Sequence, residues 1–269
     1  MIENCNIGVI GSGNMGGALI AGLLKIGRDP ASITAVDLRD EVLEPLRTQG
    51  VKTSSDLAAG VQGQDVVVVA VKPQSAAGIL TMIGGQLRRS QLVVSIMAGV
   101  RTATIEAQFT KEIPVVRVMP QTLVSEAVAA TALCAGTFAS AKHVSMAAEI
   151  FDDVGITVAV DESQMDAVTG LSGSGPAYVY TIIEAMADGG VGMGLSREVA
   201  LKLAAQTVRG AAHLVCESGE HPAILRERVT SPGGTTIMGL HKLEEKGIRD
   251  ALFSAVAAAT ERAAELGST

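Results

Sequence analysis

With 269 residues the chain can bury a sizeable core in one or two domains, and its formal charge of −7, without any Lys/Arg cluster, argues against a nucleic-acid partner. Aromatics are 2% of the residues against 48% hydrophobic overall, so the interior is expected to be Ala, Val, Leu, Ile and Met, small enough for close helix or subunit packing. Cys5, Cys134 and Cys216 are isolated and odd in number, and the four histidines are scattered, which excludes a disulfide framework and a zinc site. The cysteines read as buried thiols of a reducing compartment. No basic, apolar leader opens the chain and no apolar run approaches a bilayer span, so a soluble cytoplasmic protein, without a membrane partner, is expected.

The first predicted strand, Ile7–Ile10, runs straight into Gly11-Ser12-Gly13-Asn14-Met15-Gly16, and a helix is expected over Ala18–Leu24. This is G-x-G-x-x-G between a strand and a helix, the arrangement that holds a dinucleotide pyrophosphate. Gly11 makes the turn, Gly13 admits the phosphates and Gly16 lets helix and strand pack closely. Gly27–Ser32 breaks the helix, and Ile33–Val36 reads as a second strand ending in Asp37. That acid lies about twenty residues past the glycines, where a carboxylate meets the adenosine ribose hydroxyls.

Alternation continues through 65–71 and 92–96, unbroken β-branched runs that suit strands covered by helices on both faces. Segments 115–119, 132–135 and 157–160 read as the last strands, with a helix over His143–Asp153 before the final one. After Asp161 strand-like runs vanish. Helices are expected over Ala177–Asp188, from a Ser196 cap to Glu217, over Ala223–Arg228 behind Pro222, over Thr235–Glu245 and over Arg249–Leu266. The fold class is therefore α/β: a Rossmann-type doubly wound sheet domain over residues 1–161, followed by an all-helical domain over 162–269. The last helix carries Leu252, Val256, Ala259 and Ala263 on one face, which suits either a core or a dimer interface.

Two further segments place hydroxyls and glycines just before a helix: Thr169-Gly170-Leu171-Ser172-Gly173-Ser174-Gly175-Pro176-Ala177-Tyr178, and Val229-Thr230-Ser231-Pro232-Gly233-Gly234-Thr235-Thr236. Either is a helix–helix turn or a site for a carboxylate or phosphate. With these segments, the Ile7–Gly17 opening, Ala70-Val71-Lys72-Pro73-Gln74, Arg117-Val118-Met119-Pro120 and Ala187-Asp188-Gly189-Gly190, the chain resembles the pyrroline-5-carboxylate reductases over essentially its whole length.

The resemblance implies reduction of a cyclic imino acid to L-proline by NAD(P)H, in the last step of proline synthesis. It implies that Gly11, Ser12, Gly13, Asn14, Met15 and Gly16 hold the pyrophosphate. Val71, Lys72, Pro73 and Ala98 then line the cofactor, and Met119 and Pro120 lie against the nicotinamide. Ser231, Gly233, Gly234 and Thr235 surround the substrate carboxylate, and Thr236, the candidate catalytic group, hydrogen-bonds the ring nitrogen. It also implies a homodimer through the helical domain, or a larger ring.

Three positions depart from the family pattern: Gln121-Thr122-Leu123 follows Met119-Pro120 where Asn-Thr-Pro is usual, Leu57 stands where Asn is common, and so does Arg228. The rival readings are a β-hydroxyacid dehydrogenase and a dinucleotide-sensing protein without turnover. The former needs a Lys base after the glycine-rich helix start, and Pro176-Ala177-Tyr178-Val179-Tyr180 supplies none. Asp37 would repel a ribose phosphate and favours NADH, whereas Arg39 could stack on adenine or reach that phosphate, so NAD(P)H stays open.

Overall fold

A computed structural model describes residues 5–267. Strand and helix alternate from the outset: β1 (Ile7–Ile10), α1 (Asn14–Lys25), β2 (Ile33–Val36), α2 (Asp40–Arg47), β3 (Lys52–Ser54), β4 (Val66–Val69), α3 (Pro73–Gly84), β5 (Leu92–Ser95), α4 (Thr102–Glu106), β6 (Val115–Met119), β7 (Ala129–Ala135), α5 (Ala141–Asp152) and β8 (Gly155–Ala159). The eight strands form one sheet in the order β3-β2-β1-β4-β5-β6-β7-β8. Neighbours are parallel from β3 through to β6, β7 is antiparallel to β6, and β8 is parallel to β7.

Every residue of β1, β2, β4 and β5 is buried, as expected for strands covered on both faces. One face packs on Leu19, Ile20 and Leu23 of α1 and Ala147, Ile150 and Phe151 of α5, and the other on Leu80 and Ile83 of α3. Each such side chain removed from water contributes on the order of 1.5–3 kcal/mol.

Helices follow: α6 (Met165–Val168), a single π-helical turn at Thr169–Gly173, then α7 (Gly175–Gly192), α8 (Arg197–Ser218), α9 (Pro222–Arg228), α10 (Thr235–Glu245) and α11 (Ile248–Gly267). The chain falls into two compact units, one running through Gly173 and including the end of α11 from Ala259, the other Ser174–Ala258. In the second unit Ser196 caps α8 by accepting from the Val199 amide, as its position predicts. Its buried apolar cluster is three alanines, Ala187, Ala200 and Ala204. A Cβ on Gly190 would stand 3.2 Å from that of Ala200, so α7 and α8 meet across small residues.

Several elements differ from the sequence reading. Strand β3 is unanticipated, because Lys52-Thr53-Ser54 lies at the sheet edge and lacks an apolar signal. Helix α1 begins at Asn14, so the end of the glycine motif, Gly16, already lies in its first turn, and α7 runs on through Gly189, Gly190 and Gly192. Cys5 and Cys134 are buried free thiols, and burial pushes both up to about 11. Cys216 is free but exposed, because α8 turns most of its surface outward in the isolated chain.

Candidate active site

The parallel strands β1, β2, β4, β5 and β6 all end at one edge of the sheet, and β1 and β4 straddle the point where the strand order reverses. Ligands of open α/β sheets bind in the crevice beyond that edge. The predicted cofactor residues of the sheet unit come together there. Gly11 adopts φ +91°, and a Cβ on it would approach the Ala70 carbonyl oxygen to 2.8 Å and Val71 Cγ1 to 2.9 Å. A Cβ on Gly16 would fall on the Gly11 carbonyl oxygen and reach within 3.2 Å of Ala70 Cβ. The two glycines therefore lock the helix start against the ends of β1 and β4.

Gly13 caps α1 and has no side chain to occupy the first-turn amides, which lack acceptors inside any helix. The result is a cradle of N–H groups at the positive end of a helix, a fit for a pyrophosphate. Lys72 precedes α3 and Pro73 occupies its first turn, while Ala98 is exposed just past β5.

At the end of β2, Asp37 is held on all sides. Its Oδ1 accepts from the Arg39 amide (3.1 Å) and Nε (3.0 Å), and its Oδ2 from the Ser12 amide (3.1 Å) and Arg39 Nη2 (3.1 Å). Burial works against the charge, but these hydrogen bonds prevail and hold the carboxyl below its usual range.

Met119 ends β6, and Pro120 follows it. A Cβ on Gly173 would stand 2.8 Å from Met119 Cε, so the π-helical turn lies directly on this methionine. Gln121, one of the departures noted above, bridges the same junction: its Nε2 donates to the Ser172 carbonyl (2.7 Å) and its Oε1 accepts from the Ala130 amide (2.9 Å).

Below Met119 on the same strand sits Arg117, only 4% exposed. Its guanidinium meets Glu162 at 3.3 Å and Asp166 at 3.9 Å. Glu162 also accepts from the Thr102 amide (2.7 Å) and hydroxyl (2.8 Å), which overcome its burial and keep its carboxyl below the ordinary value. Sequence reasoning missed this network. A lone arginine in Val115-Val116-Arg117-Val118-Met119 was its signal, since a buried guanidinium needs an acid.

In the helical unit, Ser231–Gly234 joins α9 to α10. The Gly234 amide donates to the Ser231 carbonyl (3.1 Å), Gly233 adopts φ +66°, and a Cβ on Gly234 would fall on Ser231 Oγ. Gly234 is the cap residue of α10 and brings no side chain, which leaves the amides around Thr235 and Thr236 to an external acceptor. Thr236 is half-buried in its first turn, while Ser231, Gly233 and Thr235 are exposed. Among the other departures, Arg228 forms a two-pronged pair with Glu220 (2.7 and 2.6 Å), and Leu57 packs on the core.

A glycine cradle at the switch point of a doubly wound sheet, followed by a helical unit with an amide-rich turn, defines an NAD(P)H-dependent oxidoreductase. Residues 162–266 match the family model for pyrroline-5-carboxylate reductase dimerisation, and residues 6–99 that for NADP oxidoreductase, coenzyme F420-dependent. A pyrroline-5-carboxylate reductase of Methanosarcina acetivorans is 47% identical over 99% of both chains, and one of Arabidopsis thaliana 40% identical over 99% of this chain and 97% of its own. The solved pyrroline-5-carboxylate reductase of Coxiella burnetii superposes with a TM-score of 0.92 at 36% identity, covering 98% of each chain. The Plasmodium falciparum pyrroline carboxylate reductase, solved with NADP bound, gives 0.87 at 30% identity over 98% of this chain and 99% of its own. The chain belongs to the pyrroline-5-carboxylate reductase family.

Its dimerisation region accords with homo-oligomer formation, and among the described residues no helix is long and apolar enough to cross a membrane.

Proposed function

We propose that the chain reduces a five-membered cyclic imine bearing a carboxylate to L-proline. At the sheet edge the helix-start amides of the Gly11–Gly16 turn would hold the pyrophosphate of a reduced dinucleotide, with Val71, Lys72, Pro73, Ala98, Met119 and Pro120 lining it, and that group would supply hydride. The Ser231–Thr236 turn grips the substrate carboxylate through main-chain amides and the Ser231 hydroxyl, at the positive end of α10. The Thr236 hydroxyl accepts a hydrogen bond from the iminium N–H and so fixes the orientation of the ring and of its C=N carbon. As the new C–H bond forms there, the C=N electron pair moves to nitrogen, and the product is a secondary amine.

A protonated imine is already electrophilic, so alignment and charge placement suffice. Residues 1–161 thus serve as the dinucleotide domain and 162–269 as the substrate and dimer domain. The working unit is a homodimer in the cytoplasm, a reading to which the free thiols Cys5, Cys134 and Cys216 lend support.

The carrying observation is the glycine cap of α10, where Gly234 brings no side chain to the first-turn amides and the helix start is left open to a carboxylate. Thr236→Ala tests it: kcat is expected to fall about tenfold or more with substrate KM little changed. Full kcat in that variant would remove the hydroxyl from the reaction.

A further inference from the structure

Asp37 stands where an acid would grip the adenosine ribose, yet the structure gives that carboxylate other work. A carboxylate offers roughly four lone-pair positions. Four donors already take them: the Ser12 amide, the Arg39 amide, and Arg39 Nε and Nη2, all between 3.0 and 3.1 Å. Ribose hydroxyls would have to displace one of these. Moreover, the Ser12 amide belongs to the glycine turn itself, so the carboxylate ties the end of β2 to the phosphate cradle.

Arg39 is placed differently. Its side chain is 58% exposed, whereas that of Asp37 is 10% exposed. Its guanidinium lies against the cradle, with Nη2 3.1 Å from where a Cβ on Gly13 would stand. Two of its five N–H groups serve Asp37, which leaves three that the pair does not use. Asp37 therefore orients a planar cation beside the site of the adenosine ribose and offsets its own charge in doing so. The next acid, Asp40, is drawn to Arg47 at 2.8 Å, so Glu41 is the neighbouring carboxylate left to oppose an anion there.

We propose that Arg39 is the specificity-determining residue for the cofactor: it reads the 2′-phosphate of NADPH, and Asp37 is the positioning residue that braces both Arg39 and the glycine turn. The assignment rests on the dinucleotide reading of the sheet edge and reverses the preference for NADH that Asp37 alone suggests. A guanidinium matches a phosphate in shape and charge, whereas a ribose hydroxyl gives it no comparable partner.

The test is calorimetric titration of the whole protein with 2′,5′-ADP and with 5′-AMP, which differ only in that phosphate. The intact chain is expected to bind 2′,5′-ADP at least about tenfold more tightly. Arg39→Gln is expected to abolish most of that difference while leaving 5′-AMP within about threefold. Asp37→Ala is expected to weaken both nucleotides by a similar factor, since the Ser12 amide and the guanidinium lose their common anchor. A preference for 2′,5′-ADP that survives Arg39→Gln would overturn the proposal. So would tighter binding of 5′-AMP by the intact chain, or an Asp37→Ala loss confined to 5′-AMP. Failure of both nucleotides to bind the intact chain would sink the dinucleotide reading itself, and the Arg39 assignment with it.

Discussion

The sheet unit and the helical unit draw on the same small aliphatic residues and bury them to opposite degrees. In the former, whole strands such as Val66–Val69 are out of water on both faces. In the latter the buried cluster is three alanines, while Val199, Leu201, Leu203, Leu214 and Phe253 stand exposed in the isolated chain. An exposed apolar surface of that extent marks an interaction site. The first unit completes its own core, whereas the second, which carries the dimerisation region, leaves much of its apolar surface exposed in the isolated chain.

The contrast can be broken at several points. The largest effect is expected within the self-sufficient unit. Gly16→Val drives a side chain into the Gly11 carbonyl, costs about 3 kcal/mol in urea denaturation and removes nucleotide binding. A variant that kept both would separate the turn from the core.

The sharpest comparison pairs two leucine-sized side chains of equal exposure, Leu203 at 56% on α8 and Met82 at 57% on α3. By sedimentation, Leu203→Asp is expected to raise the oligomer's dissociation constant about a hundredfold or more. Met82→Asp should leave assembly unchanged and stability within about 0.5 kcal/mol. Equal effects of the two substitutions would contradict the assignment of the interface to the helical unit.

Next in size is Glu162→Gln, which leaves Arg117 buried with Asp166 as its remaining acid and should cost about 1–3 kcal/mol at neutral pH. Because Glu162 titrates below its ordinary value when folded, its contribution is full above that value and is lost as pH falls through the folded one. The gap between variant and parent in denaturation midpoint should therefore close on acidification. A gap that widened would reverse the sign of the account. The smallest effect belongs to exposed pairs: Arg249→Ala, losing a contact to Glu244 at 2.7 Å, should shift stability by less than about 0.5 kcal/mol.

How much of this was legible in advance follows from where each signal lies. The buried strands announce themselves because covering both faces demands unbroken apolar runs, and β1, β2, β4, β5 and β6 lie where those runs predict. The caps at Ser196 and the proline at Pro222 are chemical punctuation and fall in place. Strand β3 escaped because an edge strand of Lys, Thr and Ser is held by its neighbour's backbone and not by burial. The π-helical turn at Thr169–Gly173 depends on contacts with Met119 and Gln121, some fifty residues away, which no local pattern encodes. Asp37 and Arg39 were each visible as candidates, but that they neutralise one another is a matter of geometry. The motifs locate the chemistry, and the long-range pairs decide how each charged group is used.

The account turns on a carboxylate held by the amides of Ser231–Thr236 while hydride reaches the ring. Its most direct test is the steady-state oxidation of NADPH by pyrroline-5-carboxylate and by 1-pyrroline, the same ring without the carboxylate. The account predicts that kcat/KM for the carboxylated imine exceeds that for the bare ring by about a hundredfold or more, with proline as product. Equal efficiency with the two imines, or no oxidation with either, would contradict it.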